Sequence, residues 1–478
     1  MKSVKALLTL VFLIMLCSNK DALAEPQKNK DITGSWEGSL SVQGQSIPLV
    51  FNINSDLTAT MDSPAQGATN IPIESVTVDG LEVNINVAAA SASFIGRLTL
   101  ANNEIKGHWL QGSNKLPLSL KKADKEISSI VKRPQHPLPP YEYVVKEIRF
   151  KNQKQNVELA GTLTLPSSTG KYPAVVLISG SGPQDRDQTF MGHKTFLVLA
   201  DFLTKKGIAV LRFDDRGVGD STGNFAAATS ADFASDVSAA VNYLSSHANV
   251  AKDNIGLIGH SEGGLIAPIA ANTSPNVKFI ALLAGPGQNG NEIAVWQVKT
   301  ILKATGLSEE AANAGSTMTK ALNEVVMINS DSTTLTSELK STYERNWQAL
   351  PENIKSEIKT IGGGKLSQAR IKELTSNWTK FFLAHKPEVY LGKLQIPVLA
   401  IHGTKDTQMD AKQNLKKISD ALHEHPLHRV EEIAGVNHLF QQANTGFMTE
   451  YAKIEETMSP KVLEIIGDWV LKVTAEKQ

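Results

Sequence analysis

From about residue 31 to residue 122, apolar and polar positions alternate in short runs separated by Gly, Asn, Asp and Ser. That is the pattern of half-buried strands. The run Leu81-Glu82-Val83-Asn84-Ile85-Asn86-Val87 has period two and one apolar face. Strands are predicted at 36–42, 47–53, 57–61, 73–78, 81–87, 93–100, 104–109 and 116–120, which together make a small antiparallel barrel or sandwich. Residues 123–142 contain Arg133-Pro134-Gln135-His136-Pro137-Leu138-Pro139-Pro140, expected to be a semi-rigid linker between separately folding parts. From residue 143 to residue 478 the period changes. Apolar runs at 174–179, 208–213, 254–258, 278–283, 397–402 and 428–433 alternate with helical stretches, which predicts a parallel sheet covered by helices. In 230–247, Phe233, Val237, Ala240, Val241 and Leu244 fall on one helical face. Runs at 144–150 and 157–165 predict an antiparallel start to the same sheet.

Residues 1–24 fit neither pattern. Lys2 and Lys5 precede an apolar run, Ala6 to Leu16 broken only by Thr9, and Ala22-Leu23-Ala24 is a small-x-small cleavage site. This is the layout of a secretory signal peptide, so an exported protein, periplasmic or secreted, is expected. The run is too short to span a bilayer and no later one reaches the necessary length. Cys17 raises a lipoprotein alternative, but Leu16 stands where such a site carries a small residue.

Composition narrows the function classes. Across 478 residues, 48 Lys+Arg balance 48 Asp+Glu, and the isoelectric point is near 7.2. This charge balance lacks the basic footprint of a nucleic-acid binder. One cysteine allows neither an internal disulfide nor a cysteine-based zinc site.

The candidate chemistry begins at Gly259-His260-Ser261-Glu262-Gly263-Gly264. In G-x-S-x-G the serine stands on a strained strand-to-helix turn, and flanking glycines leave room for the backbone. Here a predicted strand precedes it and a helix at 265–272 follows, with Pro268 expected to kink that helix. Gly219-Asp220-Ser221-Thr222-Gly223 matches the same pattern but lies in a long loop, so Ser261 is taken as nucleophile and Ser221 as decoy. Asp214-Asp215-Arg216-Gly217-Val218-Gly219 lacks the ending of a phosphate loop, and Arg216 is expected to pair with a carboxylate.

A serine nucleophile needs a base, and the base needs an orienting carboxylate. Asp406 follows the strand predicted at 397–402, with Asp410 as a rival in the same loop. His438 follows the last predicted strand. His402, His423, His425 and His428 lie within or beside strands, or on a helix, and are expected to be packing or surface residues.

The order Ser261, Asp406, His438, taken with Gly180-Ser181-Gly182-Pro183-Gln184-Asp185-Arg186-Asp187, Phe213-Asp214-Asp215-Arg216-Gly217 and Gly403-Thr404-Lys405-Asp406, resembles the α/β-hydrolases. Within them it is similar to bacterial carboxylesterases near the serine aminopeptidase branch. Ser179 stands where many members carry histidine. The resemblance implies acyl transfer without metal or organic cofactor, with the oxyanion on backbone N–H groups of Glu262 and Ser181. The Gly34-Ser35-Trp36-Glu37-Gly38 opening is similar to the first strand of lipocalin-like barrels. Packing or spacing on one hand, and glycan or substrate binding on the other, both remain open for that module.

Over a hundred residues separate Leu283 from Pro397, so a helical cap is expected at about 288–390. Val298, Ile301 and Leu302 mark one amphipathic stretch, and Leu374, Trp378, Phe381 and Phe382 another. They suit either an acyl pocket or the cap's own core. Three readings follow: an esterase of small, short-acyl esters; a serine aminopeptidase or amidase, which would need carboxylates such as Glu309, Glu310 or Glu324 to hold an ammonium; and an inactive binding protein. Oligomeric state is not legible.

Overall fold

The computed structural model of the protein describes residues 32–42, 45–63, 68–99, 103–112, 114–123, 131–328 and 332–475. Residues 1–24, expected to be a signal peptide, lie outside the described residues. The first nine strands are β1 (Gly34–Val42), β2 (Gln45–Ile53), β3 (Ala59–Ser63), β4 (Ala68–Pro72), β5 (Ser75–Asp79), β6 (Glu82–Val87), β7 (Ala92–Thr99), β8 (Glu104–Gln111) and β9 (Asn114–Lys122). They form one antiparallel sheet in the order β4-β3-β2-β1-β9-β8-β7-β6-β5. Chain neighbours pair within β1–β4 and within β5–β9, β1 joins β9, and β4 and β5 are the two edges. Two meanders joined into one sheet, rather than two sheets packed face to face, are the barrel-like alternative of the two expected. Alternation sorts the faces: Val83, Ile85 and Val87 of β6 are buried while Glu82, Asn84 and Asn86 are exposed. Trp36 anchors that core, its indole N–H donating to the Ile32 carbonyl at 2.7 Å.

Two expectations need correction here. Strand β4 was not foreseen, because Ala-Thr-Asn-Ile-Pro carries too little apolar alternation to signal a strand. Leu57, expected to open a strand, sits in the preceding turn with φ 64°.

The second sheet contains β10 (Val144–Asn152), β11 (Val157–Leu165), β12 (Tyr172–Ile178), then, after the two-residue hairpin β13 (Thr189–Phe190) and β14 (His193–Lys194), β15 (Ala209–Phe213), β16 (Val250–His260), β17 (Val277–Leu283), β18 (Val398–Gly403) and β19 (Arg429–Ile433). Its order is β10-β11-β15-β12-β16-β17-β18-β19. β10 pairs antiparallel with β11 and β11 antiparallel with β15, and the remaining neighbours pair in parallel. This is the α/β-hydrolase arrangement. The central strands are apolar throughout because both faces are covered. In β12, Ala174, Val176 and Ile178 enter one core and Val175 and Leu177 the other.

Helices α1 (Thr195–Lys205), α2 (Ser230–Ser246) and α3 (Glu262–Thr273) precede seven cap helices: α4 (Gly290–Ala304), α5 (Glu309–Ile328), α6 (Ser332–Gln348), α7 (Glu352–Thr360), α8 (Gln368–Leu374), α9 (Asn377–Ala384) and α10 (Pro387–Leu391). α11 (Ala411–Ala421), α12 (Met448–Tyr451) and α13 (Pro460–Ala475) complete the chain. The apolar face of α2 packs on one side of the sheet, and α1 with α13 covers the other. The cap has its own core, including Leu322, Leu335, Leu339 and Leu374. α3 runs unbroken through Pro268. Burial of every residue from Glu262 to Ala270 holds the helix despite the missing N–H. Among the described residues, no helix is long and apolar enough to cross a membrane.

The described part of the proline-rich segment, from Val131 on, is stitched to the hydrolase fold. Arg133 donates to the carbonyls of Met191, Gly192, Ala452 and Ile454. Gln135 Oε1 accepts from Thr457 N and Met458 N, and its Nε2 donates to Met458 O at 2.7 Å. The guanidinium thus ties the β13–β14 turn to the chain after α12. Removing it strands four carbonyls, at a cost of roughly 2–4 kcal/mol. Arg133→Ala is therefore expected to lower the melting midpoint by several degrees, and a chain starting at Tyr143 should melt below one starting at Val131. Coincident thermal denaturation curves for those two chains would show that the segment only spaces.

Candidate functional site

Every candidate group lies on a loop following the carboxyl end of a sheet strand, the rim on which open α/β sheets bind ligands. Ser261 follows β16 and caps α3 with φ 54° and ψ −118°. A left-handed serine costs of order 1–3 kcal/mol and persists only where packing over-determines it. The packing is backbone against backbone. A Cβ on Gly259 would strike the Gly263 carbonyl, one on Gly263 the Ile178 carbonyl, and one on Gly264 the Gly285 Cα. Ser261 N donates to Leu283 O and Gly264 N to Ser261 O, both at 2.8 Å.

Asp406 and His438 come together across 32 residues: His438 Nδ1 lies 2.7 Å from Asp406 Oδ2. Asp406 Oδ1 accepts from the backbone N–H groups of Gln408 and Met409. Burial works to raise the Asp406 carboxyl, but the charge and hydrogen bond of His438, aided by Gln408 N–H, outweigh it and hold it below the ordinary carboxylate value. The rival Asp410 is the cap of α11, accepting from Gln413 N. The turn carrying His438 is shaped by Asn437, whose Oδ1 accepts from Leu439 N and Gln441 N.

Ser261, His438, Ser181 and Glu262 border one cavity of about 380 Å³, within the size range of small-molecule sites. As first residue of α3, Glu262 has no intrahelical acceptor for its N–H. Among the described residues no hydrogen bond links Ser261 directly to His438. Such contacts are often loose until substrate is bound.

Ser221 is structural. It is buried, its Oγ donating to Asp214 O at 2.8 Å and accepting from Ala160 N at 2.9 Å. Arg216 pairs with Asp236 at 2.7 Å. His402 is buried within β18 and donates from Nε2 to Gly285 O, and His428 Nδ1 accepts from Val398 N. His423 is exposed at the surface, while the His425 and His428 rings lie 5.2 Å apart. No group of three or more His, Cys, Asp or Glu among the described residues is clustered to hold a metal ion.

The sequence did not reveal three features of this site. Asp215 spans the Ser181 loop from below, accepting from Ser179 Oγ at 2.8 Å and Gln184 N at 3.0 Å. The serine at position 179 therefore still holds the loop, through its hydroxyl. The Glu262 carboxylate accepts from Ser230 Oγ at 2.6 Å and from the Trp378 indole N–H at 2.7 Å, tying the cap to the turn behind Ser261. Trp378 stacks on Phe382 at 5.1 Å, and both rings wall the cavity. His260 Nδ1 meets Gln188 Nε2 at 2.8 Å. The only signal for any of these was membership in motifs already noted, and no spacing rule links Asp215 to Ser179 or Trp378 to Glu262.

The topology, the elbow and the ordered acid and base define an α/β-hydrolase. The chain belongs to the X-Pro dipeptidyl-peptidase (S15) family, whose model matches residues 155–433. It is 32% identical over 158 residues to Esterase EstD of Thermotoga maritima, covering 32% of this chain and 37% of that esterase, so the match spans little more than a third of that relative. It is 23% identical over 333 residues to an uncharacterized Escherichia coli protein from the traX-finO intergenic region, covering 68% of this chain and 99% of that one. Among solved structures it is similar to the α/β hydrolase GrgF from Penicillium sp. sh18, at 14% identity and TM-score 0.42, over 70% of this chain and 99% of that chain.

Asp215 makes the site sensitive to pH. Burial, against the opposing hydrogen bonds from Gln184 N and Ser179 and with added repulsion from Glu262 and Asp236, pushes its carboxyl up to about 7. An unfolded aspartate gives up its proton near pH 4, so between about pH 4 and 7 the native state binds more protons and stability falls as pH rises. The full effect is roughly 2–4 kcal/mol. The melting midpoint of Asp215→Asn minus that of the wild type should therefore grow from pH 4.5 to 7.5. A difference that stayed flat across that window would show that Asp215 ionises at its ordinary pKa.

Proposed function

We propose that the protein hydrolyses uncharged carboxylic esters through Ser261, His438 and Asp406. The observation that carries this reading is the 2.7 Å Asp406–His438 pair, whose histidine borders the same cavity as the left-handed Ser261. His438 Nε2 takes the Ser261 proton as Oγ attacks the ester carbonyl carbon. Asp406 remains ionised and keeps the second ring proton on Nδ1. The tetrahedral oxyanion is received by the N–H groups of Glu262 and Ser181, each worth about 10²–10³ in rate. Collapse returns the proton to the departing alcohol. Water then attacks the acyl-enzyme with the same base and releases the acid.

The character of the cavity supports a neutral substrate. Gln184, Gln188, Gln297 and Gln408 border it together with Phe190, Trp378 and Phe382. Its carboxylate, Glu262, is already engaged by Ser230 and Trp378. Of the cap acids considered for an ammonium, Glu309 pairs with Lys299 and Lys303, Glu324 lies 3.9 Å from Lys320, and Glu310 is exposed. The family description keeps a second reading in play, release of X-Pro dipeptides, which calls for an anchored amino terminus.

p-Nitrophenyl esters of graded acyl length should be cleaved with kcat/KM exceeding that for X-Pro p-nitroanilides by roughly two orders of magnitude. Ser261→Ala should lose at least about 10⁴-fold, whereas Ser221→Ala should keep its turnover and melt earlier. Preference for the anilides would replace the ester reading with the peptidase one, and activity surviving in Ser261→Ala would remove the nucleophile. We further propose export, from the basic, apolar and small-residue succession in 1–24. Amino-terminal sequencing of the periplasmic protein should begin at Glu25, and a start at Met1 would exclude cleavage.

A further inference from the structure

His260, inside the elbow motif, makes no contribution to the acyl-transfer steps, yet it is wholly enclosed and both ring nitrogens are engaged. Its Nε2 lies 2.9 Å from the carbonyl oxygen of His438. A carbonyl can only accept, so Nε2 carries the hydrogen and Nδ1 is left as an acceptor. Gln188 Nε2 fills that position at 2.8 Å, which also fixes the orientation of the glutamine amide. The two contacts are mutually consistent for one neutral tautomer. Burial above all, reinforced by the neighbouring His438 charge, holds the His260 ring down to about 3, so the tautomer is available throughout the working range.

The chain of contacts crosses three loops that no local sequence relation connects. Gln188 lies on the loop that also carries Ser181, His260 precedes Ser261, and His438 lies beyond β19. The His260 and His438 rings are 4.9 Å apart at a 54° tilt, and Phe440 closes on His260 from the other side at 6.4 Å. Asp406 holds the imidazole of His438 by its edge, while His260 holds the same residue by its backbone. Without the backbone restraint the ring could retain its acid partner and still swing away from Ser261.

We propose that His260 is a positioning residue, which, braced by Gln188, holds the backbone of His438 so that its Nε2 is presented to Ser261. This rests on the reading of Ser261 and His438 as nucleophile and base. A misplacement of about 1 Å in such a pair costs up to about 10²-fold in rate without weakening substrate binding. The role is therefore visible as a split between kcat and KM rather than as loss of affinity.

The test uses the full chain and two readouts, steady-state hydrolysis of p-nitrophenyl acetate and the second-order rate of Ser261 phosphonylation by a fluorophosphonate probe. His260→Phe keeps a ring between His438 and Phe440 but removes both hydrogen bonds. It is expected to lower kcat and the labelling rate by about 10- to 100-fold with KM within about threefold. His260→Gln retains an N–H donor near the Nε2 position and should recover most of that loss. Gln188→Leu should give a smaller fall of the same kind, and the His260→Phe/Gln188→Leu double variant should lose little beyond His260→Phe, because the two act through one chain. A His260→Phe enzyme with wild-type kcat and labelling rate would overturn the proposal. So would equal losses in His260→Phe and His260→Gln that track their melting midpoints, since ring packing alone would then account for them. Unchanged labelling in Ser261→Ala would instead sink the underlying nucleophile assignment, and the two failures are distinguishable.

Discussion

The closest constraint in the molecule is the meeting of bare backbone around Ser261. β16 must turn into α3 directly above β12, with Gly259, Gly263, Gly264 and Gly285 approaching so closely that no side chain fits between them. That approach makes a left-handed serine affordable in free energy and leaves the Glu262 N–H without a helical acceptor. It also explains why α3 is buried on nearly every side and why Pro268 does not break it: the helix is held by its surroundings rather than by a full set of internal bonds. Rigidity here is a property of the sheet's centre, from which the other loops take their positions.

Around the elbow, carboxylates of one chemical kind do different work because their surroundings differ. Asp406 faces an imidazole and two backbone N–H groups, so its charged form is favoured. Asp215 is buried beside other acids, so its neutral form is favoured although it still braces the Ser181 loop. Glu262 offers one oxygen, Oε1, to both a hydroxyl and an indole, which joins the cap to the turn after Ser261. Movement of α9 would therefore be felt at the first turn of α3. The cap also has a core of its own, and the Trp378–Glu262 contact is one of the points where it meets the sheet-based part.

The proline-rich segment illustrates how an extended chain acquires a structural role through polar contacts alone. Its arginine and glutamine bind main-chain groups of two loops, one leading from Phe190 and the other from Met448, which both reach the cavity. Residues selected by nothing more than reach and donor geometry thereby become part of the hydrolase fold.

Much of this was legible from periodicity. Period-two alternation in β6, the apolar runs of β12, β15, β16, β17 and β18 and the stripe on α2 each follow from which faces must leave water, and those patterns are local. The order Ser261, Asp406, His438 was legible too, because each residue follows a recognisable strand end. Strand β4 escaped because its residues carry no such pattern, and the Trp378 and Phe382 stack could not be told from ordinary cap packing. The pairing of His438 with Asp406 rather than Asp410, the docking of Arg133, the Ser179–Asp215 brace and the Gln188–His260–His438 chain appear only in the tertiary structure. Each depends on groups tens or hundreds of positions apart meeting within about 3 Å, and a hydrogen bond at that range, unlike burial, leaves no periodic trace in the chain.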